Sequence, residues 1–247
     1  MSGDYGVRCI VAMSLYPPAR RGSSQKVFDR KLLSALHLCI GVVTLKQTQR
    51  ILAQGHFDGF CLIYALFNGY KALKNPEVKA SDFAINNSKA WKRVIGSTPS
   101  LHNFVLGEGS DFGQLKGSTD AKLKQRFVDT CMEALTDGVR YTPSVSTVEL
   151  ADLATIDFSK SVVIICVTEK AKSEHGKMGD HWVCVVGRDD DERKYFVACS
   201  FTHQRYGFTE RQDKRTKRFY NTTIAFKGLN RTTIYPDNIN LINIIPE

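Results

Sequence analysis

The pattern of apolar and polar residues divides the chain into a helical part and a later part made of strands. CLIYALFNGYKAL (61–73) has apolar residues at the 3.6-residue period of a buried helix, which ends before Asn75-Pro76. AKLKQRFVDTCMEALTDG (121–138) has the same period and ends in glycine. We also expect helix between residues 26 and 50. The pattern therefore predicts a mainly helical first half.

From about residue 160 the sequence changes to short runs of β-branched and aromatic residues that are separated by turn residues. These runs are SVVIICVT (161–168), HWVCVVGR (181–188), KYFVACSF (194–201), NTTIAFKG (221–228) and INLINII (239–245). Runs of this kind are typical of antiparallel strands. The chain is therefore predicted to be an α+β protein, in which a helical layer packs against a mainly antiparallel sheet.

The same sequence pattern predicts how the chain is organised into domains. Residues 1–50 are interpreted as an N-terminal segment that could have a regulatory role. Residues 51–247 are interpreted as one domain, helical over 51–158 and β-rich over 159–247. The chain has 247 residues, of which 43% are hydrophobic, and this is enough to form a packed core.

Charge and cysteine content narrow the classes of function. The formal net charge of +9 favours an acidic or polyanionic partner, or simply reflects a well-solvated surface. The seven cysteines are odd in number and include no CxxC pair, so neither a disulfide framework nor a zinc ribbon is predicted. No phosphate-binding loop is predicted either, and we expect neither a metal nor a cofactor.

The longest early apolar run does not predict a membrane segment. LLSALHLCIGVVTL (32–45) contains a histidine and is shorter than the ~20 residues that span a bilayer. It also lies too far from the amino end to be a secretory signal. We therefore expect a cytoplasmic protein with no membrane partner, and export by a route without a cleaved signal stays open.

Cys61 is the candidate nucleophile, because it stands where the first clear helix begins. A helix N-terminus and a nearby imidazolium can lower the pKa of a thiol well below ~8.5. Of the six histidines, His181 is best placed, since it opens the strand HWVCVVG directly after a turn. On that strand His181 shares a face with Val183 and Val185. We expect that face to meet the helix that carries Cys61.

Two segments resemble the papain-like cysteine peptidases. Gln54-Gly55 followed by Gly59-Phe60-Cys61 at the head of an apolar helix is similar to the Gln-Gly and Gly-x-Cys of that superfamily. HWVCVVGRDDDERKYFVACS (181–200) is similar to its histidine-bearing strand, glycine turn and returning strand, including those of bacterial branches that cleave Gly-Gly leader peptides. The first 50 residues and the helical middle match nothing in the family.

The resemblance implies a papain-like fold and a thiol hydrolase that cleaves a peptide or isopeptide bond of a polypeptide substrate. It implies an acyl-enzyme on Cys61, His181 as general base and later general acid, and Gln54 as a donor to the oxyanion. The returning strand departs from the family pattern, since Ser200 stands near the place where Asn or Asp usually orients the histidine. The candidates for an orienting residue are Ser200, Gln204, Asp180, Asp189 and His203.

Several alternatives use the same residues. The dyad also serves peptidoglycan amidases, glutamine deamidases and acyltransferases, whereas a non-enzymatic binding module would keep the fold without the chemistry. The basic segment RYGFTERQDKRTKRFY (205–220) could bind nucleic acid if its aromatic residues stacked on bases. Alternatively, it is a solvated hairpin whose aromatic residues pack inward. Zinc is disfavoured, because His181 and Cys184 point to opposite faces of one strand.

Overall fold

The structure is a computed structural model that describes only part of the chain. The described residues are 51–53, 60–74, 89–98, 101–105, 118–136, 141–201 and 210–246. All of them belong to one unit of the chain, Gln47–Glu247. The segment 1–50, its expected helix, and the predicted site residues Gln54 and Gln204 lie outside the described residues.

Four α-helices precede all the strands in the described residues. They are α1 (Cys61–Leu73), α2 (Lys89–Ser97), α3 (Leu101–Val105) and α4 (Ser118–Thr136). The helix predicted at 61–73 is confirmed as α1, and it is buried along almost its whole length. It is followed by the C-cap residue Lys74, whose backbone N–H donates to the carbonyl of Tyr70. The helix predicted at 121–138 is confirmed as α4.

The strands form one large antiparallel sheet and two small hairpins. The sheet contains six strands in the order β1-β10-β2-β5-β6-β9. Its strands are β1 (Tyr141–Thr147), β2 (Ser161–Val167), β5 (His181–Asp189), β6 (Lys194–Ala198), β9 (Thr222–Ala225) and β10 (Ile234–Pro246). The hairpins pair β3 (Lys172–Ser173) with β4 (Gly176–Lys177) and β7 (Arg211–Gln212) with β8 (Phe219–Tyr220). The predicted α+β class with an antiparallel sheet is therefore confirmed.

Strand β1 departs from the prediction, because it lies inside the stretch 51–158 that was expected to be helical. It pairs along its whole length with β10, from Tyr141 opposite Pro246 to Thr147 opposite Asn240. Its sequence, YTPSVST, has one central apolar residue and a proline, which is tolerated at the edge of a sheet. A polar edge strand of this kind is stabilised by pairing with a distant strand, so its local sequence gives little sign of it.

The sheet has two apolar faces, and the helices cover one of them. On the helix-covered face, Cys166, Trp182, Cys184 and Val186 share a hydrophobic cluster with α1, α2 and α4. On the opposite face, the alternate residues of β2 and β5 share a second cluster with the 3₁₀ helix Leu150–Ala154 and with residues after β9. The members of that face in β2 and β5 are Val163, Ile165, Val167, Val183 and Val185.

Helix α1 lies close to the sheet because it has a glycine at the contact. A Cβ atom at Gly69 would lie 3.2 Å from methyl groups of Ile164 and Val162 and 3.4 Å from the sulfur of Cys184. The missing side chain therefore lets α1 pack directly on β2 and β5. Among the described residues, no helix combines the length and apolar character needed to cross a membrane.

Candidate active site

Cys61 is the first residue of α1, and its side chain is partly exposed. The first turn of a helix has backbone N–H groups without intrahelical partners, and they carry partial positive charge. No acidic residue lies in the first turn of α1, and Phe60 at the N-cap makes no capping hydrogen bond with its side chain. A thiolate at this position would lie next to that partial positive charge, and the lowered pKa of Cys61 stays a prediction.

The amino end of α1 lies at one particular end of the sheet. Gly69 in the second half of the helix packs on Ile164 and Val162, whereas the thiol of Cys61 interacts electrostatically with Cys166 at the other end of β2. Helix α1 therefore runs antiparallel to β2. We call this end of the sheet, where Cys166 pairs with Trp182, the Cys166 end.

Cys166 of β2 is the sheet residue whose thiol interacts with that of Cys61. It is 5% exposed and lies on the helix-covered face. Its pKa is raised well above the ordinary thiol value, first by burial and then by the neighbouring thiol of Cys61. Cys166 is therefore a neutral, inert thiol. Cys61, which is partly exposed, is the one of the two that a substrate could reach.

His181 also lies at the Cys166 end, as the first residue of β5, but it is on the opposite face of the sheet. It pairs with Val167 and alternates with Val183, and both valines belong to the opposite-face cluster. Its ring lies 5.9 Å from that of Phe201, which packs against the same cluster. The expectation that His181 faces the helix bearing Cys61 is therefore wrong.

Burial also determines the charge of His181. The side chain is 5% exposed, and burial lowers the pKa of the imidazole to about 4. Its Nε2 atom has no hydrogen-bond partner within the described residues. The imidazole is therefore neutral near pH 7, and it does not form a thiolate–imidazolium pair with Cys61 in this structure. The role of His181 in catalysis stays a prediction.

The residues predicted to orient the histidine are only partly described. Ser200 is buried in the turn that follows β6. Asp189 accepts a hydrogen bond from the backbone N–H of Glu192 at 2.9 Å, within the turn after β5. His203, like Gln204, lies outside the described residues. The orienting role expected of one of these residues stays a prediction.

Asp180 precedes His181 in sequence but interacts with the helix side of the Cys166 end. It accepts a hydrogen bond from the hydroxyl of Tyr235 at 3.0 Å, and it contributes to raising the pKa of Cys166. Burial and this hydrogen bond raise the pKa of Tyr235 to about 12, so the phenol stays protonated. Asp180 therefore adds an exposed carboxylate near Cys166.

Sequence reasoning missed a buried lysine that interacts with Cys166. Lys124 of α4 is 5% exposed, and its Nζ donates to Oδ1 of Asn238 in β10 at 2.7 Å. Its positive charge acts on Cys166 and lowers the pKa of that thiol against the effect of burial. The signal was available, since Lys124 precedes the apolar residues Phe127 and Cys131 by three and seven positions and so lies on their helix face.

Among the described residues, no three His, Cys, Asp or Glu side chains form a group that could hold a metal ion. Cys184 lies on the helix-covered face and His181 shares the opposite face with Val183, so the strand separates these two side chains, as the sequence predicted.

The basic segment 205–220 includes the hairpin of β7 and β8, and one of its arginines stabilises the fold. Arg218 is 4% exposed, and its guanidinium donates to the backbone carbonyls of Phe158, Ser161 and Val186, the last two at 2.6 and 3.1 Å. This arginine is therefore committed to the fold, and the cations that the hairpin exposes in the described residues are Lys214, Arg215 and Lys217.

The hairpin aromatics that the structure describes pack inward. The ring of Tyr220 stacks on Phe196 with the centroids 4.3 Å apart, and the guanidinium of Arg211 lies 4.7 Å from the ring centroid of Tyr220. Phe219 packs against the cluster on the helix-covered face. The inward-packing alternative is therefore confirmed for Phe219 and Tyr220, which are half-buried.

Comparison with known proteins does not place the chain in a family. No protein-family model matches it, and no curated protein matches it significantly.

Proposed function

We propose that the chain is a thiol hydrolase that cleaves a peptide or isopeptide bond through an acyl-enzyme on Cys61. The observation that carries this proposal is the position of Cys61, a partly exposed thiol at the first residue of a buried helix. A helix that packs on an antiparallel sheet and begins with the nucleophile is also what a papain-like arrangement requires. We therefore include that arrangement in the proposal.

The proposed reaction has two steps. The Cys61 thiolate attacks the carbonyl carbon of the scissile bond, the carbon–nitrogen bond breaks, and the amine leaves after it receives a proton. Water then attacks the thioester, which releases the acid and regenerates the thiol. The backbone N–H of Cys61 and the side chain of Gln54 are the proposed donors to the oxyanion in both steps.

His181 lies on the face of the sheet opposite Cys61, so the proposal does not include a preformed dyad of the two residues. For His181 to act as the base, its imidazole would have to leave the cluster beside Phe201 and reach the helix-covered face at the Cys166 end. The proposal therefore rests on Cys61 as nucleophile and not on a preformed Cys-His dyad. Peptidoglycan amidase, deamidase and acyltransferase activities share this nucleophile and remain alternative outcomes of the same chemistry.

A second candidate function is a binding module that keeps the fold without catalysis. The buried, neutral imidazole of His181 favours it, because a hydrolase of the papain type needs a base beside the thiol. In such a module Cys61 would have the reactivity of an ordinary partly exposed thiol. Its replacement by alanine would leave the binding of a partner unchanged.

The test uses the full chain and a library of peptide vinyl sulfones, which capture a nucleophilic cysteine covalently. We expect an adduct on Cys61, identified by mass spectrometry, and turnover of matching fluorogenic peptide amides. Turnover should fall by at least about 1,000-fold in Cys61→Ala. Cys199→Ala is the matched control, since Cys199 belongs to the cluster on the opposite face.

Two results would contradict the hydrolase proposal. One is that the vinyl sulfones label Cys61 no faster than a small alkylating reagent of equal intrinsic reactivity does. The other is peptide turnover that persists in Cys61→Ala. Either result would favour the binding module.

A further inference from the structure

The hairpin of β7 and β8 is anchored at its base by a buried arginine. The guanidinium of Arg218 donates to the backbone carbonyls of Ser159 at 3.2 Å and of Ser161 at 2.6 Å. A buried charged group costs free energy unless its donors are bonded, and these carbonyls accept from it. The anchor therefore holds the hairpin beside the turn that precedes β2, in which Lys160 stands between the two serines.

The turn of the hairpin is held by a buried carboxylate. The two oxygens of Asp213 accept hydrogen bonds from the backbone N–H groups of Arg215 and Thr216, at 3.0 Å each. The N–H of Lys217 donates to the carbonyl of Asp213 at 2.8 Å, and Lys217 has a φ of 60°. A positive φ costs free energy in a lysine, so the surrounding hydrogen bonds must maintain it. The backbone of this turn is therefore fixed by the protein itself.

The anchor brings cations from two segments of the chain together. Lys160 immediately precedes β2, and Lys214, Arg215 and Lys217 lie in the turn of the hairpin that Arg218 attaches to the same place. We call the exposed residues Lys160, Lys214, Arg215 and Lys217 the basic tip. Because the two segments are bonded to each other, the fold adds Lys160 to the basic run of the sequence.

Two acids lie near the basic tip, and both accept hydrogen bonds within the protein. Asp157 interacts electrostatically with Lys160 and Arg215, and its Oδ1 accepts from the backbone N–H and the hydroxyl of Ser159, at 2.9 and 2.6 Å. Asp213 holds the turn. The four cations of the basic tip outnumber these two carboxylates, so together they have a positive formal charge.

We propose that the basic tip binds the phosphate backbone of a double-stranded nucleic acid. Lysine and arginine bind phosphate by charge and hydrogen bonds, without a contact to a base. Cations on a backbone that is already fixed also lose less conformational entropy when they bind. The proposal goes beyond the hydrolase and does not depend on it, because Lys160 lies at the end of β2 that is opposite the Cys166 end.

The described aromatic residues of the hairpin favour a duplex over a single strand. Proteins that bind single strands without sequence preference stack the bases on aromatic side chains. Here Tyr220 stacks on Phe196, and Phe219 packs against the cluster on the helix-covered face. We therefore assign the contact to the cations. Its affinity then depends on the density of phosphate charge, which is high in a duplex, with one charge per about 1.7 Å of its axis.

The test measures binding of the full chain to a fluorescein-labelled DNA duplex by fluorescence anisotropy, over a range of salt concentrations. For contacts with three to four phosphates, we expect the logarithm of the association constant to fall with the logarithm of salt concentration with a slope of about −3. A single strand of the same length should bind more weakly. Duplexes of different base sequence should bind equally.

Substitutions that remove one charge distinguish the basic tip from the overall positive charge of the chain. Lys160→Gln, Lys214→Gln and Arg215→Gln should each weaken binding by about fivefold and reduce the steepness of the salt slope by about one. These side chains are exposed, so the variants should fold. The matched control is Lys170→Gln, an exposed lysine beyond the other end of β2, which should leave both quantities unchanged.

Four results would contradict the proposal. The duplex does not bind at low salt, or Lys170→Gln weakens binding as much as the variants of the basic tip do. The single strand binds more tightly than the duplex, which would show that stacking contributes. Poly-glutamate of equal charge binds as tightly as the duplex, which would favour an acidic protein as the partner. Cys61→Ala should bind the duplex like the wild type, so failure of the hydrolase proposal would leave this one standing.

Discussion

The two faces of the sheet differ most at the Cys166 end. On the helix-covered face, Cys166 interacts electrostatically with Cys61, with the buried Lys124 and with the exposed Asp180. On the opposite face, His181 is surrounded by an apolar cluster, and its imidazole is neutral. Cys61 and His181, which sequence reasoning paired as a dyad, are therefore separated by the sheet. The helix-covered face has charged groups at this end, whereas the opposite face is apolar.

The two faces differ in the electrostatic environment that they give to a titratable side chain. Burial on the opposite face disfavours the charged form of His181. On the helix-covered face, the first turn of α1 carries partial positive charge, and the charge of Lys124 lowers the pKa of Cys166 against the effect of burial. Substitutions at His181 and at Gly69 test the two faces separately.

The largest expected effect is a loss of stability at acid pH that is caused by His181. Its pKa is about 4 in the folded chain and about 6.5 in the unfolded chain, so below pH 6.5 the unfolded chain binds a proton that the folded chain does not. The free energy of unfolding should therefore fall by about 3 kcal/mol between pH 7 and pH 4 on account of this residue. Urea unfolding at a series of pH values measures it.

His181→Leu is the control for this pH dependence. The leucine variant lacks the titrating group and retains the acid sensitivity of the carboxylates, so the difference between the two curves isolates His181. At pH 7 the variant should be as stable as the wild type or more stable, because the substitution removes a buried nitrogen without a described partner. Parallel curves for the two proteins from pH 7 to pH 4 would show that His181 is not buried as described.

A smaller effect tests the close packing of α1 on the helix-covered face. Gly69→Ala places a methyl group 3.2 Å from Ile164 and Val162, and the strain should outweigh the gain in helix propensity. We expect a net loss of about 1 kcal/mol in the free energy of unfolding.

The matched control for this packing is Gly96→Ala in α2. A Cβ atom there would meet nothing within 4 Å, so the same substitution should stabilise the protein by about 0.5–1 kcal/mol. Stabilisation of similar size by both substitutions would mean that α1 does not contact the sheet as closely as described.

Much of the fold could be predicted because it depends on local periodicity. The helix at Cys61 and the strands of the carboxyl half follow directly from periods of 3.6 and 2 residues. Strand β1 could not be recognised, because its polar sequence becomes a strand through pairing with β10. The alternation along β5 was also read correctly from the sequence.

The site was harder to predict than the fold. Both faces of β5 are apolar, so the sequence shows which residues share a face with His181 but not which face the helix covers. That choice is made by packing across the whole domain. Lys124 carried a readable signal, since a lysine within an apolar helical stripe indicates a buried charge, and a buried charge requires a reason.

The most direct test of the separation between the two faces is an NMR titration of the His181 imidazole in the wild type and in Cys61→Ser. We predict a pKa of about 4, a neutral ring at pH 7, and no change when Cys61 is replaced. An imidazolium at pH 7 that loses its charge in Cys61→Ser would contradict the account, because it would show that the histidine and the thiol form a pair.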